Sequence, residues 1–256
     1  MCVGCSGGVD NYLVPSDAGV GGPAKLTLPE AGIVRIYFTD DDGGISVREN
    51  NAEFQLISGG DPAFPILSPT AGQLAFVRQG AQSSVEVIAV DGSTSWVIRP
   101  DADARSVRWS PDGTMLVFGS FDEVGGGVAR VAMFHLAQGE VIDLAFEPSV
   151  FGFRVPLSQP VWSPFGRFLA FSVFETEDRV HIDFIDMQDF SRRRVTEGDF
   201  KDLVGGWSPS RRGHLAFARR IEKNWFLAIA RITGEGEPDF VMGPQHWGGF
   251  SVEWQE

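Results

Sequence analysis

A short phrase recurs four times along this chain and constrains its fold more than any other feature. Each copy has an apolar residue, a Ser-Pro pair, a few turn residues and then a short apolar run. The Ser-Pro pairs are Ser68-Pro69, Ser110-Pro111, Ser163-Pro164 and Ser208-Pro209. A period of roughly 40–50 residues that is filled with short strands is typical of a radial array of small sheets rather than of a globule with one core.

Apolar and turn segments alternate between these phrases, so that each repeat is predicted to form four strands, a to d, from the inside outwards. Strand a is predicted to start at Phe64, Val107, Val161 and Gly206 in successive repeats. An earlier repeat near residues 33–57 has no clear strand a, and the chain ends on one, residues 251–254. We expect this C-terminal strand to complete the first repeat and to close a ring.

These patterns predict an all-β fold, a β-propeller of four-stranded blades over residues 25–256. Five blades is the simplest count, and six is the alternative. Residues 1–24 are rich in Gly, Pro and Ser and are predicted to form a flexible leader.

The large apolar residue that precedes each Ser-Pro pair is predicted to be structural. It would wedge between neighbouring sheets near the axis, where a Trp ring buries on the order of 150–250 Å². The residues in this register are Leu67, Trp109, Trp162, Trp207 and Trp254. We expect the serines to hydrogen-bond turn amides, and none of these positions to be catalytic.

The segments Trp109-Ser110-Pro111-Asp112-Gly113 and Trp162-Ser163-Pro164 resemble the WD-like repeats of TolB-type β-propellers. The resemblance covers roughly residues 29–256, is strongest in the third repeat and is loose in the fifth, which reads Pro209-Ser210-Arg211-Arg212-Gly213. It implies a propeller. The resemblance does not specify one function, because such propellers serve both as envelope interaction modules and as regulatory domains of prolyl-oligopeptidase-like enzymes.

Charge and composition exclude several classes of partner. With 34 acidic and 21 basic side chains, the net charge of −13 disfavours binding to nucleic acid and to anionic membranes. No apolar stretch reaches the ~18 residues of a transmembrane helix.

The segment from Val3 to Gly8 resembles the end of a bacterial lipoprotein signal, with Cys5 as the residue that would carry a lipid anchor. Cys2 stands where leucine is usual, and the apolar segment is absent. An inert terminus is the alternative. We predict a location in the cell envelope, periplasmic or surface-exposed, with the cytoplasm as the alternative.

The sequence contains no nucleophile elbow, phosphate-binding loop or dinucleotide fingerprint. Its four histidines are not spaced as metal ligands, and His135 and His181 are expected to be ordinary packing or surface residues. The run from Asp40 to Gly44 lacks the spacing of a calcium loop and is expected to form a hairpin turn. The arginines at 192–194 are expected to lie on a solvated edge. We therefore predict no metal and no cofactor.

The best candidate site is the rim formed by the loops from strand d to the next strand a, which would gather around the central channel. The candidate partner-binding residues are Asp61, Phe64, Asp103, Arg105, Phe153, Arg154, Phe200, Lys201, His246 and Trp247. Aromatic and charged side chains suit a protein or peptide partner. We predict a monomeric, non-catalytic propeller that serves as a protein–protein interaction module.

The alternative function is a carbohydrate-active or other hydrolase with its site at the mouth of the channel. Such an enzyme needs two carboxylates either about 5–5.5 Å or about 6.5–9.5 Å apart. The acidic residues in the candidate loops are Asp61, Asp101, Asp103, Asp199 and Asp202.

Overall fold

A computed structural model of the protein describes residues 35–245 except for 50–51, 81–82, 92–94, 99–102, 123–127, 149–159, 177, 210–212 and 233–238. In these residues the chain forms nineteen β-strands and no helix. No helix in this part of the chain could therefore span a membrane. The predicted leader, Cys5 and Trp254 lie outside the described residues, as do four candidate binding residues, Phe153, Arg154, His246 and Trp247.

The strands form five consecutive antiparallel units in the described residues. Unit 1 contains β1 (Arg35–Thr39), β2 (Ile45–Glu49) and β3 (Ala52–Ile57). Unit 2 contains β4 (Pro62–Leu67), β5 (Gln73–Arg78), β6 (Ser84–Ala89) and β7 (Ser95–Ile98). Unit 3 contains β8 (Asp103–Trp109), β9 (Met115–Asp122), β10 (Val128–His135) and β11 (Glu140–Pro148).

Units 4 and 5 form one continuous sheet. Unit 4 contains β12 (Val161–Trp162), β13 (Phe168–Phe174), β14 (Val180–Asp186) and β15 (Ser191–Arg194). Unit 5 contains β16 (Lys201–Trp207), β17 (His214–Ile221), β18 (Asn224–Arg231) and β19 (Asp239–Gln245). A parallel pairing of Val180 with Lys201 joins the two units. The prediction of an all-β chain built from antiparallel strands is confirmed, whereas the blade count and the closure of the ring stay predictions.

Two inner strands begin well before the residues that the sequence indicated, whereas β12 begins at the predicted Val161. β8 starts at Asp103 and β16 at Lys201, several residues before the predicted starts. The reason is a bulge, seen as a shift in pairing register between Ala104 and Ser106 in β8 and between Val204 and Gly206 in β16. A bulge interrupts the alternation on which the prediction depended. Asp103, Arg105 and Lys201, predicted to be loop residues, therefore belong to inner strands.

Apolar clusters fill the spaces between consecutive units, and three of the strands that follow a Ser-Pro turn, β5, β9 and β13, contribute to two of them. In β9, Leu116 and Phe118 lie in the cluster shared with unit 2. Val117, between them, lies in the cluster shared with unit 4. Because successive side chains of a strand point to opposite faces, this strand is buried on both sides.

The tryptophans of the phrase tie inner strands together. The Nε1 of Trp109 donates a hydrogen bond to the carbonyl oxygen of Ile66, at 3.0 Å, and that of Trp207 donates to Val161, also at 3.0 Å. Each bond joins the inner strand of one unit to that of the preceding unit. Trp162 stands in the same register, but its buried Nε1 has no hydrogen-bond acceptor in the described part of the chain. Leu67, in the first phrase, packs partly buried against the cluster between units 1 and 2.

The serines of the phrase close the turns. The backbone N–H of Met115 donates to the Oγ of Ser110, and that of Phe168 to the Oγ of Ser163, both at 2.9 Å. Both serines are buried. Each hydroxyl thus satisfies a backbone donor where the ladder is interrupted.

The acidic run after β1 forms the predicted hairpin turn. The backbone N–H of Gly44 donates to Asp40 Oδ1 at 2.7 Å, and the Ser46 hydroxyl donates to Asp40 Oδ2 at 2.7 Å. β1 and β2 pair on either side of it. The prediction that the run from Asp40 to Gly44 forms a hairpin turn is confirmed.

We expect Trp109→Phe to lower the free energy of unfolding by about 1–2 kcal/mol more than Trp162→Phe, as measured by urea denaturation. Both variants replace an indole by a phenyl ring, but only the first leaves a carbonyl that has lost its donor. Equal losses would show that the hydrogen bond from the indole contributes nothing to stability.

Candidate functional site

Two connections meet at one end of units 4 and 5. The segment 175–179 joins β13 to β14, and the segment 195–200 joins β15 to β16. They are held together by a hydrogen bond in which the backbone N–H of Val180 donates to the carbonyl oxygen of Phe200, at 2.8 Å. We call this end the loop end. It carries most of the buried charge described below.

A buried histidine lies between two carboxylates near the loop end. His181, on β14, is 5% exposed. Its Nδ1 lies 3.1 Å from Glu175 Oε1, and its Nε2 lies 3.2 Å from Asp183 Oδ1. The Nη2 of Arg194 lies 3.0 Å from the same Nε2 and 3.1 Å from Glu175 Oε1, and Arg192 Nε donates to Asp183 Oδ2 at 2.7 Å. We call these five residues the His181 network.

Strand pairing explains why these side chains meet. His181 and Asp183 are two residues apart and share one face of β14. Asp183 is directly opposite Arg194 on β15, and Arg192 lies two residues earlier in that strand. Opposite and diagonal neighbours on one face of a sheet are within reach of each other.

Both carboxylates of the network are held in the ionised form. Burial raises the pKa of Asp183, but the contact with His181 and the charge of Arg192 outweigh burial and hold that pKa below its usual value. Burial likewise raises the pKa of Glu175, and the hydrogen bond from Arg179 and the charges of His181, Arg179 and Arg194 outweigh it. Two fixed negative charges therefore hold the neighbouring cationic side chains in place.

Three guanidinium groups reach the surface at the loop end. Arg179 donates to Glu175, and its Nη1 lies 3.3 Å from Asp199. Arg194 shares Glu175 with Arg179. Arg220, at the end of β17, donates to Asp178. We call Arg179, Arg194 and Arg220 the arginine cluster. Their side chains are 52%, 45% and 31% exposed.

A buried ion pair lies next to the cluster. The Nε and Nη2 of Arg219 donate to the two carboxylate oxygens of Asp202, each at 2.8 Å. Both side chains are almost fully buried, and the guanidinium carbon lies 4.3 Å from the centre of the Phe200 ring. The pair fixes the start of β16 against β17, because a planar fork that meets a carboxylate with two bonds has a defined geometry.

Two of the candidate binding residues lie at the loop end. Phe200 covers the guanidinium of Arg219, and Lys201 is opposite Arg220 in the β16–β17 register. Asp61 and Phe64 are in unit 2, both exposed and both with left-handed backbone, φ 43° and 57°. Asp103 and Arg105 lie on β8 of unit 3. The predicted rim is thus spread over several units, with Phe200 and Lys201 next to the charged groups.

The His181 network was missed by sequence reasoning. His181 is buried in a strand, as expected of a packing residue, but the sequence analysis did not anticipate that its ring nitrogens lie next to two carboxylates. The arginines at 192 and 194 are likewise in ion pairs rather than only on a solvated edge. The spacing of ionisable residues in the sequence could have indicated this network. His181 and Asp183 stand two positions apart on one predicted strand, and Arg192 and Arg194 stand two positions apart on the next.

Two of the carboxylates in the candidate loops are already paired. Asp202 forms an ion pair with Arg219, and Asp199 contacts Arg179. Asp101 lies outside the described residues. Within the described ranges, no group of three or more His, Cys, Asp or Glu side chains is arranged to hold a metal ion.

The fold is similar to that of several solved structures. TolB from Acinetobacter baumannii superposes with a TM-score of 0.57 at 16% identity, covering 84% of this chain and 53% of TolB. An oligogalacturonate lyase from Vibrio parahaemolyticus gives 0.60 at 13%, covering 81% of this chain and 61% of the lyase. A puromycin-hydrolyzing peptidase from Mycobacterium tuberculosis gives 0.58 at 14%, covering 82% and 37%.

The chain thus has a TolB-like β-propeller fold, and it spans about half the length of the TolB structure. No protein-family model matches the sequence, and no curated protein matches it. At these identities the similarity establishes the fold alone.

The predicted function is corrected by these similarities. From the resemblance and the loops we predicted a non-catalytic module for protein–protein interaction, and that prediction is wrong. Peptidases and lyases share the fold with TolB. Whether the protein is an enzyme is not established by its architecture.

We expect the stability of the protein to fall in acid partly through the His181 network. Because the pKa values of Glu175 and Asp183 are depressed in the folded protein, their stabilisation is complete above the unfolded values of about 4 and is lost as the pH falls through the folded values. Asp183→Asn should therefore lower the free energy of unfolding at pH 7 and flatten its decline between about pH 5 and 3. Urea denaturation at several pH values measures both effects. Glu53→Gln, at an exposed position of β3, is the control, and a decline as steep in Asp183→Asn as in the wild type would contradict the assignment.

We expect Asp202→Asn to destabilise the protein by about 3–5 kcal/mol, because it leaves the buried guanidinium of Arg219 without a counter-charge. The double variant Asp202→Leu/Arg219→Met should recover much of that loss, since it removes both buried charges. Urea denaturation measures each value. Glu49→Gln, which breaks the exposed pair with Arg35, should change stability by less than about 1 kcal/mol. A double variant as unstable as the single one would contradict this account.

Proposed function

We propose that this TolB-like β-propeller binds an acidic oligosaccharide at the loop end of units 4 and 5, through the arginine cluster. The observation that carries the proposal is that Arg179, Arg194 and Arg220 are each exposed by about a third to a half while charged partners fix their positions. A preorganised guanidinium loses little conformational freedom when a ligand binds.

Guanidinium chemistry favours a carboxylate ligand. The planar fork of arginine matches a carboxylate with two hydrogen bonds, and such charge-assisted bonds are about twice as strong as neutral ones. Two of the present partners, Asp178 and Asp199, are 72% and 88% exposed. Exposed ion pairs contribute only about 0–1 kcal/mol, so a ligand carboxylate can replace these partners at small cost.

The third partner, Glu175, has the opposite role. Glu175 contacts Arg179, Arg194 and His181 together and is only partly exposed. It therefore holds two guanidinium groups side by side while their outer N–H groups face solvent. Phe200 and Lys201, which the sequence analysis selected as candidate binding residues, would border the ligand.

An oligosaccharide with a carboxylate on every sugar fits several neighbouring guanidinium groups better than a ligand with one terminal carboxylate. The similarity to an oligogalacturonate lyase supports this choice of ligand. We propose binding only, without a bond-breaking step. The net charge of −13 would slow the approach of an anion. At physiological ionic strength, however, charges beyond about 8 Å are largely screened, so the local arginines dominate.

The remaining predictions from the sequence form part of the same proposal. We propose a ring of five blades that Trp254 and its strand close. Lipidation at Cys5, a location in the cell envelope and a monomeric state stay predictions.

Titration calorimetry with trigalacturonic acid tests the proposal, with maltotriose as the neutral control. The wild type should bind the acidic sugar, and Arg179→Ala/Arg194→Ala should weaken binding at least about tenfold, the effect of losing 1.4 kcal/mol. Arg35→Ala, at an exposed and ion-paired arginine of unit 1, should leave affinity unchanged. Equal binding of maltotriose, equally tight binding of triglutamate, or no effect of the double variant would contradict the proposal.

A further inference from the structure

One ring nitrogen of His181 lies between two neighbours that need opposite things from it. Its Nε2 is 3.0 Å from Nη2 of Arg194, which can only donate a hydrogen bond. The same Nε2 is 3.2 Å from Oδ1 of Asp183, which can only accept one when it is ionised. A ring nitrogen either carries a proton or presents a lone pair. It can therefore hydrogen-bond to one of these neighbours at a time, and its protonation decides which one.

The neutral ring holds Arg194. Because the guanidinium keeps its protons, Nε2 presents its lone pair to it, and the single ring proton then lies on Nδ1, 3.1 Å from Glu175 Oε1. In this state the carboxylate of Asp183 is incompletely satisfied. Its Oδ2 accepts from Arg192, but its buried Oδ1 accepts no hydrogen bond from the described residues. A second proton on the ring would supply the missing donor.

Protonation of Nε2 reverses this arrangement. The new N–H donates to Asp183 Oδ1, and it now opposes an N–H group of Arg194, which cannot accept it. Two cations in contact also repel each other, so the guanidinium is released from the ring. Arg194 still has Glu175 Oε1 at 3.1 Å, and its side chain is 45% exposed. The released guanidinium is therefore close to solvent at the loop end.

The two carboxylates remain acceptors while this happens. Burial raises the pKa of Glu175 and of Asp183, but their charged neighbours outweigh burial and hold both pKa values below the usual range. Both groups therefore stay ionised near neutral pH, where each can accept a ring N–H.

The ring is surrounded by groups that do not titrate near neutral pH. On the face that His181 shares with Ile185, unit 3 presents apolar side chains of the cluster between units 3 and 4. Carboxylates, guanidinium groups and ammonium groups ordinarily keep their charge between about pH 5.5 and 8, whereas a histidine ordinarily changes its charge in this range. The charged residues on β14, on the segments next to it and in the facing register of unit 3 are Asp183, Asp186, Glu175, Glu177, Asp178, Arg179, Arg192, Arg193, Arg194, Glu197, Asp199, Lys201, Asp202 and Glu147.

We propose that His181 is a positioning residue for the acidic sugar, and that its protonation releases Arg194 to the ligand so that the sugar and a proton bind together. This inference rests on the proposed sugar site, because Arg194 belongs to the arginine cluster. A sugar carboxylate that takes Arg194 removes the donor that blocks Nε2, and a protonated ring leaves Arg194 to the sugar. Because such coupling is reciprocal, the sugar binds more tightly as the pH falls, and its binding takes up protons from the buffer.

Titration calorimetry with trigalacturonic acid at about pH 8 and about pH 5.5 tests the coupling. The sugar carboxylates are ionised at both values, so the charge of the ligand does not change. The wild type should bind at least about fivefold more tightly at the lower pH, the lower end of usual coupling between two sites. Titrations at about pH 7 in two buffers with different enthalpies of ionisation should show proton uptake by the unaltered protein.

Two variants assign the effect to this contact. His181→Gln removes the titrating ring but keeps a polar side chain, so its affinity should change less than about twofold between the two pH values. Arg194→Ala, at an exposed position, should likewise lose the pH dependence while it also binds more weakly. His135→Gln, in unit 3, is the matched control and should keep the pH dependence of the wild type. Urea denaturation checks that each variant is folded.

The outcomes separate this inference from the sugar site itself. Binding by the wild type that is equally tight at both pH values and takes up no protons would overturn the coupling and leave the sugar site intact. A pH dependence that persists in both His181→Gln and Arg194→Ala would overturn it as well, as would an equal loss in His135→Gln. Absence of binding at both pH values would contradict the proposed function and this inference with it.

Discussion

The burial of one strand between two neighbouring sheets is the constraint on which the rest of this structure depends. In β9, Leu116 and Phe118 pack against unit 2, whereas Val117 packs against unit 4. No unit can therefore bury its own apolar surface alone, and each is stabilised by its neighbours. Two of the tryptophans that precede a turn add a directional bond to this packing, because Trp109 and Trp207 each donate to the inner strand before their own.

This apolar packing also decides where charge can be placed. A buried charge needs a partner, and the spaces between the sheets offer none. The buried ionic groups accordingly lie towards the ends of strands, as in the pair between Arg219 and Asp202 and in the contacts of His181 with Glu175. Their desolvation makes such pairs a doubtful source of stability, but their fixed geometry orients the exposed arginines beside them.

Sequence reasoning predicted the outer strands well because each depends on local alternation and on a nearby turn. It placed the start of β16 too late, because the bulge between Val204 and Gly206 breaks that alternation. It selected Phe200 and Lys201 from their place in a loop. It missed the contact of His181 with Arg194, because that contact depends on the register of two strands, which composition does not reveal.

Comparing the same position in successive repeats distinguishes structural residues from functional ones more clearly than the fold does. The propeller is shared with TolB, lyases and peptidases, so the architecture alone does not distinguish binding from catalysis. Residues that every unit needs, such as the serine of each turn, serve the scaffold. The positions where one unit departs from the others are different: Phe165 replaces a polar turn residue in unit 4, and His181 brings buried charge to the same unit. Since the sheet packing does not require a buried charge at His181, unit 4 carries chemistry that the fold does not explain.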